Sequence, residues 1–189
     1  MNKLIKIIVV SLILIFTACV TNKRNVTVSQ KKTSLPVILS YNQEYDVIWR
    51  IKIPILLEFA NNSDIKRKLD IVQHINTYNS RQEGIIPYRE DNKKLKEPIY
   101  INERSKKEII FYTQHTLDTS KTFQKKFNNY LKEMKIRPKE NISAGSFEEF
   151  KLKHTILLGK LLSKDSLKVS FFVKEPKPVF EKPIKIPLN

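Results

Sequence analysis

Apolar and polar residues alternate along much of the chain, and the longest such run sets the fold class. Tyr45, Val47, Trp49, Ile51, Ile53, Ile55, Leu57 and Phe59 take every second position, with Asp46, Arg50, Lys52 and Glu58 between them. A period of two predicts a strand with one buried face, Trp49 included. Pro54 lies on the other face and has no N–H, so a bulge, an edge or a break is expected there. Asn61-Asn62-Ser63-Asp64 then predicts a turn. Residues 68–76 predict the next strand, with Leu69, Ile71 and Ile75 on one face and His74 on the opposite, exposed one. Short strands are expected at 98–101 and 108–113, around a polar turn.

The period then changes. Phe123, Phe127, Tyr130, Leu131 and Met134 recur at helical spacing, so residues 120–135 predict an amphipathic helix. Thr119 or Ser120 can cap its start and Pro138 ends it. Farther on, Phe150, Leu152, His154, Ile156 and Leu158 alternate with Lys151, Lys153 and Thr155, which predicts a strand with His154 in the core. A turn at 163–166 leads to Leu167, Val169, Phe171 and Val173, so the two segments predict a hairpin. The proline-rich end, with Ile184 and Ile186, suits an edge strand. The fold class expected is mainly β: an antiparallel two-sheet sandwich, immunoglobulin-like in pattern, with one inserted amphipathic α-helix.

The N-terminus has its own pattern. Lys3 and Lys6 precede an apolar run, Ile7 to Phe16, and Thr17-Ala18-Cys19 closes it. The run is shorter than the roughly 18 apolar residues of a membrane span and fits a secretory signal. Phe16-Thr17-Ala18-Cys19 resembles the lipobox of bacterial lipoproteins, with Phe16 where Leu is usual. That resemblance implies cleavage before Cys19 and acylation of its thiol and new amine. Two or more acyl chains make a stable membrane anchor. The expected organisation is a lipoprotein signal peptide at 1–18, a polar basic tether at 19–36 and a single β-rich domain at 37–189. The implied location is the bacterial cell envelope, on a membrane. Cys19 is the only cysteine, so no disulfide can form within the chain.

Charge adds a second feature. Thirty-five Lys and Arg against 19 Asp and Glu give a formal charge of +16. Most of these are Lys, whereas forked recognition of phosphate or carboxylate favours Arg. Much of the excess is therefore expected to be a generic basic surface. The densest stretch interleaves Tyr78 and Tyr88 with Arg81, Arg89, Lys93, Lys94 and Lys96. These five basic residues are the candidate surface for an anionic ligand. Nucleic acid is not expected as a partner in the envelope.

Catalytic chemistry is not visible. The glycines number three, too few for a phosphate-cradling loop. Glu148-Glu149 and Glu90-Asp91 are sequence neighbours, which point apart on a strand. His74, His115 and His154 lie about forty residues apart, without the close ligand pair usual in zinc sites. No metal, cofactor or catalytic residue is expected. The function expected is a non-enzymatic protein-interaction or structural accessory module, anchored through Cys19 and partnered by another envelope protein. Direct binding of an anionic glycan or lipid headgroup by the basic loops is the alternative.

Overall fold

The structure is a computed structural model and describes residues 25–76, 81–89, 93–136 and 139–188. The expected signal peptide and Cys19 lie outside the described residues. In chain order the strands are β1 (Val26–Lys31), β2 (Pro36–Asn42), β3 (Val47–Asn61), β4 (Arg67–Asn76), β5 (Arg81–Gly84), β6 (Pro87–Tyr88), β7 (Tyr100–Ile101), β8 (Lys106–Thr116), β9 (Asn141–Ser146), β10 (Ser166–Val173), β11 (Val179–Phe180) and β12 (Ile184–Pro187). They form two antiparallel sheets, the two-sheet sandwich that the alternation predicts.

In the first sheet β3 is the template. β8 follows one side of it, from Arg50 opposite Thr116 to Ala60 opposite Lys106. The other side is shared. β2 pairs with Val47 to Lys52, and β1 pairs with Leu56 to Asn61. Pro54 sits in the gap where β2 gives way to β1, the one stretch where its missing N–H breaks no ladder on that side. β6 and β9 form the edges. In the second sheet β10 is central, with β4 on one side and β11 and β12 on the other; β5 and β7 pair with the far side of β4.

The core lies between the sheets. Ile51, Ile53, Ile55, Leu57 and Phe59 point into it from β3, and Leu167, Val169 and Phe171 meet them from β10. Two bulges shift the phase of this alternation. Ser40 pairs with Arg50 and Tyr41 with Ile48, so Trp49 is an extra residue in β3. One extra residue exchanges the inward and outward positions. Ile48 is fully buried in consequence, while Trp49 is only partly buried, contrary to the sequence expectation. In β4, Ser170 pairs with Ile71 and Phe171 with Leu69, which leaves Asp70 as the extra residue. Past that bulge Ile71 turns outward, and Val72, His74 and Asn76 turn inward.

Two further expectations are corrected. The tether at 19–36 is too long, because β1 and β2 bring the chain from Val26 onward into the first sheet. Val26 is buried, and β1 alternates with an inward face. The strand expected at 150–158 is helical: α3 (Phe147–Lys153) and α4 (Thr155–Leu162) follow β9 directly. Ser146 accepts from the Glu149 N–H while the Glu149 carboxylate accepts from the Ser146 N–H, a capping box that starts the helix. Phe147, Phe150, Leu157, Leu158, Leu161 and Leu162 form its buried side. His154 therefore lies at a helix junction, half-buried among Phe127, Tyr130 and Phe150. The helix expected near 120–135 is present as α1 (Lys121–Gln124), a 3-10 turn (Lys125–Phe127) and α2 (Asn128–Ile136). The buried Gln124 amide clamps the start of β3, accepting from Ile48 N–H and donating to Ile48 C=O, each at 2.9 Å.

Candidate functional site

Two polar constellations stand out, one on the outer face of the first sheet and one buried between the sheets. The outer one is built by a small hairpin. Arg89 N–H donates to Lys93 C=O and Leu95 N–H to Pro87 C=O, both at 2.8 Å. β6, within this hairpin, pairs with the edge of β8, Tyr88 opposite Ile110. The Tyr88 ring packs edge-on against Tyr112, with centroids 5.1 Å apart. Tyr88 divides two hollows. Ile38, Lys52, Tyr112, Asn141 and Ser143 line one; Lys32, Thr33, Leu56, Arg89, Leu95 and Glu108 line the other.

This cleft concentrates positive charge. Burial and the nearby charges of Arg50 and Lys94 hold the Lys52 amine below its ordinary pKa. Arg50 lies over the Trp49 ring, 3.9 Å from its centroid, and donates from Nη1 to Gln114 Oε1 at 2.7 Å. Its Nε is buried without a hydrogen-bond partner among the described residues. Within the same described residues, no carboxylate lies within ion-pairing distance of Arg50, Lys52 or Lys94. The Tyr112 hydroxyl is likewise buried without a hydrogen-bond partner, and burial raises its pKa.

Of the five basic residues expected at an anion surface, the hairpin brings together Arg89, Lys93 and Lys94. Lys96 lies just beyond it, exposed. Arg81 belongs to the other sheet, paired opposite Asn76 on β5. Arg50, Lys52 and Tyr112 join the cleft from β3 and β8. Sequence reasoning left them out because they belong to strands whose cross-strand neighbours are set by a register no local pattern reveals.

The buried constellation lies between β4, β8 and the start of β10. Past the Asp70 bulge, His74 and Asn76 point inward from β4, and Thr113 and His115 point inward from β8. Asp165, just before β10, completes the group. His74 Nε2 lies 2.9 Å from Asp165 Oδ2, and His115 Nδ1 lies 3.8 Å from the same oxygen. The imidazole rings meet edge-to-face, 5.2 Å apart. All three side chains are inaccessible to solvent. Burial, with His74 close by, pushes the His115 imidazole down to about 3, so it is neutral at neutral pH. Among the described residues these three form the group whose donor atoms could hold a metal ion. The sequence hid it on two counts: the members are dispersed along the chain, and simple alternation places His74 outside.

No protein-family model matches this sequence, and no curated protein matches it either. No helix among the described residues is long and apolar enough to cross a membrane.

Proposed function

We propose that the chain is a non-enzymatic binding module of the bacterial envelope, held on a membrane by lipid on Cys19, whose outer cleft takes an anionic group. The observation that carries this reading is the set Arg50, Lys52 and Lys94. Lys52 is partly buried between the charges of Arg50 and Lys94, and among the described residues no carboxylate lies within ion-pairing distance of the three. Such an arrangement is unfavourable in the free protein and is relieved by an anion. An acidic glycan fits the surroundings. Tyr88 offers a partly exposed ring with a polar tip, and Asn141 and Ser143 offer hydrogen-bonding groups beside Lys52.

The test is equilibrium binding of the full chain to an acidic polysaccharide over a range of salt. Affinity should fall with ionic strength. Lys52→Met should weaken binding roughly tenfold, about 1.4 kcal/mol, while its thermal stability holds or rises, since a desolvated charge is removed. Unchanged binding by Lys52→Met would refute the cleft as the site. A protein partner is a second reading, favoured by Leu152 and Ile156, which are 82% and 77% exposed one turn apart at the junction of α3 and α4. Co-purification of a stoichiometric envelope protein, lost on Leu152→Glu, would support it.

A further inference from the structure

We propose that His74, His115 and Asp165 are the protein ligands of one divalent transition-metal ion, zinc by preference, which pins the two sheets together.

The geometry supplies converging donors. One donor atom from each of His74, His115 and Asp165 lies within 4.8 Å of the other two. Ligand bonds of 2.0–2.1 Å at tetrahedral angles put neighbouring donor atoms about 3.3 Å apart. The separations of 2.9 and 3.8 Å from Asp165 Oδ2 bracket that value. Two imidazoles and one carboxylate suit zinc, and three protein donors leave a fourth position for water.

The far side of each imidazole is also arranged as a metal ligand needs. His115 Nε2 lies 3.2 Å from Thr113 Oγ1. His74 Nδ1 lies 3.7 Å from Glu83 Oε1 and has no hydrogen-bond partner among the described residues. An N–H on each of these outer nitrogens would face an oxygen and leave the inner nitrogens for the ion, which would take the place of the 3.4 Å contact between Asn76 Nδ2 and His115 Nδ1. That is how histidine ligands are oriented by their outer partners, usually a carboxylate or a neutral oxygen.

Charge balance points the same way. Asp165 brings a carboxylate into the interior, where an isolated charge is strongly disfavoured. A divalent cation offsets Asp165 and Glu83 together.

The ligands come from both sheets: His115 from β8 of the first, His74 from β4 of the second, and Asp165 from the lead into β10. A bound ion would therefore join the layers at the end of the sandwich where the inward face turns polar.

The experiment uses the full chain, stripped of metal by chelator and checked for retained β structure by circular dichroism. Titration with Zn2+ should saturate at one equivalent, and Co2+ should give the visible d–d bands of a low-symmetry site. Asp165→Asn and His115→Gln should each weaken binding at least a hundredfold. Glu83 is at an exposed edge, so Glu83→Gln should fold normally and weaken binding about 10- to 100-fold. Absence of stoichiometric Zn2+ or Co2+ binding by the folded chain would overturn the proposal. So would binding that persists undiminished in Asp165→Asn, or full affinity in Glu83→Gln.

Discussion

The core should respond far more to loss of Phe59 than to loss of Trp49, the only tryptophan. Phe59 is fully buried and joins the layers. Its ring centroid lies 6.4 Å from Phe111 in its own sheet and 6.1 Å from Phe171 across the interface, both edge-on. Truncating a buried Phe to Ala costs about 3–5 kcal/mol, more where the surroundings cannot collapse into the space. Two sheets held apart by their other side chains collapse poorly, and each aromatic pair adds about 0.5–1.5 kcal/mol. Phe59→Ala is therefore expected near 5 kcal/mol, against a total of about 5–15 kcal/mol for a domain. Trp49 sits on a bulge, partly exposed, with the Arg50 guanidinium over its face. Roughly 100 Å² of lost apolar burial at about 25 cal/mol/Å² gives about 2–3 kcal/mol, without a cavity contribution. Urea unfolding followed by circular dichroism measures both variants, since emission vanishes with Trp49. If Trp49→Ala costs as much as Phe59→Ala, Trp49 points inward, and the bulge that turns Ile48 into the core is wrongly placed.

Three other outcomes are expected. Ser146→Ala removes the hydroxyl half of the capping box and should cost about 1 kcal/mol in thermal or urea unfolding; a cost below a few tenths would mean that packing alone starts the helix. Arg67 is buried and pairs with Glu181 at 2.8 Å, so Glu181→Leu strands a guanidinium. Breaking a buried pair costs about 3–5 kcal/mol, and the partial exposure of Glu181 lowers the expectation to about 2–3 kcal/mol; a neutral result would mean that Asn61, Ser63 and Ile65 C=O suffice for Arg67. Cys19→Ser should abolish incorporation of a fatty-acid analogue in metabolic labelling, and equal labelling would exclude the anchor.

The sandwich is legible because β3 and β10 alternate over most of their length. The inserted helix was legible because Phe123, Phe127 and Met134 keep helical spacing. The errors have specific causes. At 150–158 an alternation of two also satisfies part of a helical face, and the deciding signal was local: Ser146 with Glu149 three residues on. β1 reads as tether in the sequence because Val26 and Val28 stand between polar residues on an edge. At Trp49 and Asp70 one inserted residue changes the phase of the alternation, for Ile48 and Trp49 in β3 and for every position past Asp70 in β4, and no local pattern announces it. The same reversal hid half of the buried constellation, since it carries His74 from the outer face to the inner. The cleft was half legible: its hairpin cations form one charge cluster in sequence, while Arg50 and Lys52 reach it only through the pairing of β3 with β8.

The early start of β1 also fixes a distance. With lipid on Cys19, only residues 20–25 separate the anchor from the first sheet. Fully extended, six residues span no more than about 20 Å. Val26 pairs with Asn61, and Ala60 pairs with Lys106, so under the proposed anchoring the end that carries Asn61 and Lys106 would lie nearest the membrane. Arg50 and Thr116 mark the opposite pole, and Lys52 lies beside it. If Cys19 is lipidated as proposed, so short a leash would keep that pole near the bilayer and Lys52 with its charged neighbours at the far end of the domain. A headgroup of the host membrane is then poorly placed to reach them, whereas a polymer layered above the bilayer meets them at once.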